Sequence, residues 1–376
     1  MHQSVYSPFP TPGQELLLKA ALLKEDDAKQ AWRQWRTTTD FERDVDSGSQ
    51  RLLPLVFLNL LEHRTDDPAM LRLKGMYRKT WSANHFLFRQ TANILNCLQE
   101  AGIPVMVLKG IPLTILYYKN HALRPMSDMD IMVPLSCARD AIGVLKNNGW
   151  SVGNPAQLEF FLKYGRSTEL FDADRNELDL HWHPVFETYD DRATSTFWDK
   201  AITLEVAGVQ TQTMCPADTL FHVIVHGFMS NNEPPVRWVP DSLMIIRQDD
   251  CPVDWGRLTE LTGRYSVSLQ MKEGLNYLHT TFNAPIPGYF MDRINKIKPR
   301  WADRLVYRHA IAFGDRSAHT FRQRVSKVYV NYIRQAGNKN FFRLHLGFIR
   351  YAYALSKGRF LPALIYKYFR LLLTNR

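Results

Sequence analysis

Cysteine is scarce in this chain. Cys97, Cys137, Cys215 and Cys251 are the only four in 376 residues, and no two lie close enough to form a metal-binding or redox pair. They read as reduced, mostly buried thiols. No apolar run approaches the ~20 residues that a bilayer-spanning helix needs. The first ten residues, Met1 to Pro10, lack the basic start and continuous apolar stretch of a secretory leader, so the expected location is cytoplasmic. Internal repeats and low-complexity segments are absent as well. Acids are nearly missing from one region: Met291 to Arg376 holds 19 Lys and Arg against three acids, a net +16, which leaves the first 290 residues at −6 of the whole chain's +10. Apolar side chains are plentiful, with 45% hydrophobic residues and 12% aromatics, ample for packed cores in two or three domains.

Hydrophobic periodicity divides the chain. Residues 14–100 carry helical stripes, including Glu15 to Leu23, Arg51 to His63, and a long one from Met70 to Glu100 without internal proline. Ala101-Gly102-Ile103-Pro104 ends that helix, and Val105 to Leu108 reads as a short buried strand. A short helix over Ile111 to Lys119 follows, then a strand over Met129 to Val133. Next come an amphipathic helix over 136–148, Trp150 to Val152, a helix over about 155–164, and a strand pair at Arg166–Phe171 and Glu177–Trp182. From about Pro216 the pattern is helical again. The expected fold class is therefore α+β, a small mixed sheet with helices on one face, embedded between an N-terminal helical region and a C-terminal helical domain. The domain boundaries fall near 100, 215 and 290: helices over 1–100, the sheet over 101–215, a helical domain over 216–290 and a basic, aromatic-rich tail over 291–376.

The chemistry concentrates in Leu108-Lys109-Gly110 and in Arg124-Pro-Met-Ser-Asp128-Met-Asp130-Ile-Met-Val133. On a strand, Asp128 and Asp130 point to the same face because side chains alternate with period two. Two carboxylates so placed repel each other unless a hard cation sits between them. A third acid, Asp179, is flanked by apolar residues in Glu177-Leu-Asp-Leu-His-Trp182, on a strand able to lie beside the first. Three inward carboxylates on neighbouring strands suit two Mg²⁺ ions, with Mn²⁺ as the alternative, and that is the machinery of phosphoryl or nucleotidyl transfer. A glycine between strand and helix lets backbone N–H groups approach phosphate oxygens, so Gly110, with Lys109 and Arg124 as cations, is the expected grip on a nucleoside triphosphate.

The order Lys-Gly, Arg-x-x-x-Asp-x-Asp, Asp-Leu-His-Trp resembles the uncharacterised nucleotidyltransferase family of the polymerase-beta superfamily. Its acidic part is similar to antibiotic nucleotidyltransferases. The resemblance extends to Arg51-Leu-Leu-Pro-Leu, to Leu220-Phe-His-Val-Ile-Val-His-Gly227 and to Arg237-Trp-Val-Pro-Asp241, covering roughly residues 15–245. It implies a polymerase-beta-like palm, Mg²⁺ dependence, and transfer of a nucleoside monophosphate from a nucleoside triphosphate, ATP favoured, to an acceptor hydroxyl with release of pyrophosphate. Asp128, Asp130 and Asp179 would then be catalytic and metal-binding, and Lys109, Gly110 and Arg124 nucleotide-binding. One departure stands out: much of the superfamily has Gly-Ser in the phosphate turn, whereas Ile111 follows Gly110 here.

Other readings stay beside these. Arg124 is alternatively a counter-ion to Asp128. His181 and His183 alternate with Asp179, so His181 either orients that carboxylate, touches the acceptor, or is an ordinary hydrogen-bonded histidine. His222 and His226 have the four-residue spacing of helical zinc ligands but no further partner nearby, and read as a packing pair. Asp241 reads as a cap or salt bridge. The basic, aromatic-rich stretches 321–334 and 358–370 suit peripheral contact with an anionic membrane or a lipid-linked substrate better than nucleic acid. The alternative functions are a non-catalytic nucleotide-binding regulatory or antitoxin-like module, and an enzyme that nucleotidylates or phosphorylates a protein or peptide with the same site.

Overall fold

Period-two alternation sets the position of the sheet, and the computed structural model shows how it is covered. It describes residues 7–41, 43–188, 191–229, 236–265, 267–313 and 328–334, with 348, 350 and 351. Seven strands form one mixed sheet: β1 (Met106–Val107), β2 (Asp128–Met132), β3 (Ser151–Val152), β4 (Ser167–Phe171), β5 (Glu177–His181), β6 (Ile202–Val206) and β7 (Val209–Thr213), in the spatial order β3-β4-β5-β2-β1-β7-β6. The pairs β2–β5 and β1–β7 are parallel and the others antiparallel. A parallel pair needs a long crossover, and the chain between β2 and β5 supplies it with helix Ala138–Asn147 and strands β3 and β4.

On β2 and β5 the apolar residues Met129, Ile131, Leu178 and Leu180 are fully buried on one face. They join a core with Leu95 and Leu98 of helix Met70–Glu100 and with Ala141, Ile142 and Leu145 of helix Ala138–Asn147. Each Leu, Ile or Met of this set contributes roughly 1.5–3 kcal/mol of burial free energy. The opposite face is covered as well. Met106, Leu108 and Met132 enter a second, larger core with helices Pro12–Leu22, Leu53–Glu62, Pro216–Met229 and Trp238–Ile246. The one-sided sheet expected from the sequence is thus two-sided, because alternation at β1 and β2 sends every second apolar residue the other way.

Three further differences have local causes. The hairpin β6–β7 has no counterpart in the sequence reading; its two-residue turn, Ala207 at φ 47° and Gly208 at φ 88°, lacks the usual Asn-Gly signature. The expected helix over 111–119 is one α-turn, Gly110–Pro112, followed by a π-helix, Leu113–Tyr118. The four cysteines are free and half-buried rather than mostly buried.

Most of the basic tail, including 335–347 and 352–376, lies outside the described residues, and with it the stretch 358–370. In the part that is described, Val330 and Ile333 pack with Ala302 and Val306 in a third, small core. Arg334 donates to Glu187 with both residues buried, so this arginine serves an internal ion pair and not a surface contact.

Helix Pro216–Met229 crosses helix Trp238–Ile246 at Gly227, where an added Cβ would sit 2.5 Å from Trp238 Cβ. Gly227→Ala is expected to lower unfolding free energy by about 1–3 kcal/mol, since the backbones must move apart. Gly263→Ala has no neighbour within 4 Å to meet and is expected to raise stability by up to ~1 kcal/mol through helix propensity. Urea denaturation of the two variants beside the parent protein checks both signs.

Candidate active site

The parallel register of β2 and β5 puts Asp128 opposite Glu177, Asp130 opposite Asp179, and Met132 opposite His181. Four carboxylates therefore stand in two adjacent rungs, and all four line a cavity of about 600 Å³. The sequence reading named three of them and missed Glu177, although Glu177 alternates with Asp179 and so shares its face. His181 Nε2 lies 2.8 Å from Asp179 Oδ2 and 3.1 Å from Asp130 Oδ1, bridging the two inner acids. Lys109 Nζ pairs with Asp130 and lies 3.5 Å from Asp179 Oδ2. His183, beyond the strand end, bonds Thr194 Oγ1 at 2.6 Å and does not join the cluster.

Charge divides the four acids into two kinds. Burial opposes ionisation of Asp130, yet the Lys109 ammonium and His181 hold its carboxyl below the usual range. For Asp179 burial is likewise outweighed by His181, Lys109 and Arg166, which hold it well below that range. The outer pair behaves oppositely. The charge of Asp130, then burial, pushes Asp128 up; burial, then the charge of Asp128, pushes Glu177 up. Burial works against the Lys109 charge too, but Asp130 and Asp179 raise its pKa above the ordinary lysine value. Asp130, Asp179 and His181 can each offer a ligand atom within 4.8 Å of the others. Asp179 Oδ1 is buried without a hydrogen-bond partner. The two carboxylates, one with an open, buried oxygen, are the hard donors that a divalent cation of the Mg²⁺ or Mn²⁺ class takes, and the His181 imidazole is the softer member of the set.

Lys109 reaches the acids through an unusual backbone, φ 52° and ψ −115°. Such a conformation costs a non-glycine residue on the order of 1–3 kcal/mol and persists where surroundings enforce it. Leu108 N donates to Asp130 O at 2.9 Å, tying the residue before Lys109 to β2. At Gly110 an added Cβ would lie 2.5 Å from Met126 Sδ and 2.9 Å from Arg124 Nη1, so the glycine makes room for these side chains.

Arg124 is paired, but not with Asp128. Its Nε and Nη2 donate to Asp241 at 2.8 and 2.9 Å, and Tyr118 Oη donates to the same carboxylate at 2.8 Å. Only Nη1 of Arg124 is left to face the Gly110 turn. Asn84, buried in helix Met70–Glu100, fixes the chain beneath by donating to the carbonyls of His121 and Arg124 at 2.6 and 2.9 Å. Asp241 is thus the salt bridge that the sequence reading allowed, with a partner it did not identify.

The remaining wall carries Arg51, Arg166, His222, His226 and Arg237. Burial first, then the charge of Lys109, pushes both histidines well below the usual imidazole value, so they are neutral. Asp130, Asp179 and His181 are the one cluster with metal-ligand geometry among the described residues, and it does not include the histidine pair.

The chain belongs to the uncharacterised nucleotidyltransferase family, whose family model matches residues 47–283. That span includes every residue lining the cavity, from Ser47 to Asp241. No curated protein matches the chain.

The charge pattern separates the acids by stability. Asp130→Asn leaves Lys109 and His181 facing a neutral amide in a buried site and is expected to cost about 3 kcal/mol. Asp128→Asn relieves repulsion and is expected to leave thermal stability unchanged or slightly higher. Because the Asp130 and Asp179 carboxyls are depressed in the native state, their stabilisation is complete above the unfolded value near 3.8 and fades as pH falls through the native values. The gap between parent and Asp130→Asn should therefore narrow in acid, as read from chemical denaturation at neutral pH and at about pH 3.

Proposed function

We propose that the chain is a Mg²⁺-dependent nucleotidyltransferase with a polymerase-beta-like palm, moving a nucleoside monophosphate from a nucleoside triphosphate to an acceptor hydroxyl. The observation that carries this reading is the β2–β5 register, which stacks Asp130 on Asp179 and Asp128 on Glu177 along one wall of the cavity. Asp128, Asp130 and Asp179 are the metal carboxylates in this reading, and Lys109, Gly110 and Arg124 serve the nucleotide. When bound, the metal ions offset phosphate charge and lower the pKa of the acceptor hydroxyl. The acceptor oxygen forms its bond to the α-phosphorus as the bond from that phosphorus to the bridging oxygen breaks. Pyrophosphate leaves with the electron pair, and the hydroxyl proton passes to the Asp179 carboxylate. His181 Nε2 acts as the positioning group, since it touches both inner acids. Arg124, gripped by Asp241, offers its Nη1 from a fixed frame, which spares the ordering entropy of a mobile arginine.

One observation favours a second reading. Lys109 already supplies a cation to Asp130 and Asp179, as a module would that binds nucleotide without turnover. Pyrophosphate release with ATP, Mg²⁺ and a panel of hydroxyl-bearing acceptors separates the two. The transferase reading expects release that falls at least ~100-fold in Asp128→Asn and Asp179→Asn, the scale of a lost metal contribution of several kcal/mol. Nucleotide binding in calorimetry with no release from any acceptor, or full turnover in Asp128→Asn, would overturn it.

A further inference from the structure

One wall of the cavity holds more positive charge than the described residues neutralise. Arg51, Arg124 and Arg237 converge there from three separate segments: the turn after helix Ser47–Gln50, the loop before β2, and the start of helix Trp238–Ile246. Among the described residues a single carboxylate faces the cluster from the helical side, that of Asp241, and Arg124 occupies both its oxygens. Arg237 is half-buried, gives Nη1 to the Pro125 carbonyl at 2.9 Å, and has no carboxylate partner among the described residues. Burial first, then the charges of Arg124 and Arg51, pushes its guanidinium down to about 10. Arg51 is exposed at the mouth, and its side chain has no hydrogen-bond or ionic partner among the described residues.

Like charges brought together at partial burial cost stability unless an anion completes them. The anion that fits is defined by the neighbours. Asp128, at the outer rung of the acid set, lines the same cavity as Arg51, Arg124 and Arg237. A ligand that reaches from the acids to the arginines is therefore a metal-bound chain of phosphates, and planar guanidinium forks match phosphate oxygens two at a time.

We propose that Arg51 and Arg237 clamp the outer two phosphates of the donor nucleotide, the part that leaves as pyrophosphate. This assignment rests on the transferase reading for the identity of the donor. It gives the two arginines a role that neither Lys109, engaged with Asp130 and Asp179, nor Arg124, engaged with Asp241, is free to fill with a whole side chain. Both clamp residues come from segments anchored in the helical core, while the acids stand on the sheet, so the phosphate chain bridges the two.

Calorimetry with inorganic tripolyphosphate and Mg²⁺ on the full chain isolates the clamp from base recognition. Arg237→Gln and Arg51→Gln are each expected to weaken binding about 10-fold or more, the scale of a charged hydrogen bond, and the double variant further. Binding of a nucleoside monophosphate, which lacks the outer phosphates, should change less than about 3-fold, a split that a merely structural role would not produce. Should Arg237→Gln fail to fold, exposed Arg51→Gln carries the test. Variants that bind tripolyphosphate as tightly as the parent overturn the clamp while leaving the transferase reading to its own release assay. A clamp intact by calorimetry with no pyrophosphate release from any acceptor overturns the transferase reading alone. A parent protein that binds no tripolyphosphate overturns the clamp as well, whatever the release assay shows.

Discussion

Two rows of carboxylates facing each other across a parallel strand pair cannot stand without positive charge between them. At about 4 Å, two like unit charges repel by roughly 4 kcal/mol even at an effective dielectric constant of 20. The β2–β5 register creates this repulsion, and Lys109 and His181 answer it for the inner rung. Much of the surrounding structure holds those two cations in place. The turn of Lys109 is tied to β2 by the Leu108 hydrogen bond, and releasing its positive φ would take the ammonium away from Asp130 and Asp179, leaving them to His181. The outer rung forms no ion pair among the described residues; nearby cations offset the repulsion only in part, and Asp128 and Glu177 are both pushed up.

How far the sequence foretold this follows from range. Strong local periodicity made β2, β5 and helix Ala138–Asn147 legible, because each repeats its apolar pattern over several residues. The inward direction of Asp128, Asp130 and Asp179 followed from alternation alone. Glu177 was equally readable by that rule and was passed over because the apolar flanks that flag Asp179 lie on only one side of it. The bond between Arg124 and Asp241 spans 117 positions and has no local signature. Nor does the parallel pairing of β7 with β1, which depends on a hairpin whose Ala-Gly turn carries a weak signal. The tight packing of Gly110 against Arg124 and Met126 is likewise a product of tertiary approach with no local signature.

The two cores meet at the cavity, and each contributes a different kind of group to it. The sheet side brings acids on strands that are rigid because their alternate residues are fully buried. The helical side brings arginines from segments far apart in sequence, Arg51 near the beginning and Arg237 past the middle. Tyr118 and Asn84 brace the Arg124–Asp241 pair: the first reaches from the π-helix to Asp241, the second from the long helix to the backbone of Arg124. Widening a helical turn to the π form shifts side-chain directions by a fraction of a turn, and here it accompanies a Tyr118 hydroxyl aimed at Asp241.

The residue after Gly110 makes sense in these terms. A serine there would bring a hydroxyl to the turn, but Ile111 is almost fully buried in the sheet core, and a polar side chain in its place would need a partner that core lacks. The space in front of the turn is filled instead by Arg124 Nη1, delivered from a guanidinium that Asp241 grips by its other two nitrogens. A hydroxyl on a flexible turn and one corner of a locked guanidinium both donate a hydrogen bond, yet only the second brings a full charge into partial burial, where it acts at lower effective dielectric. Asp241 offsets the desolvation of that charge, and the raised pKa of Arg124 follows from it despite burial. Apolar packing thus claims the position after the glycine, while a cationic donor arrives from 14 residues further along, held through Asp241 by a helix of the other core.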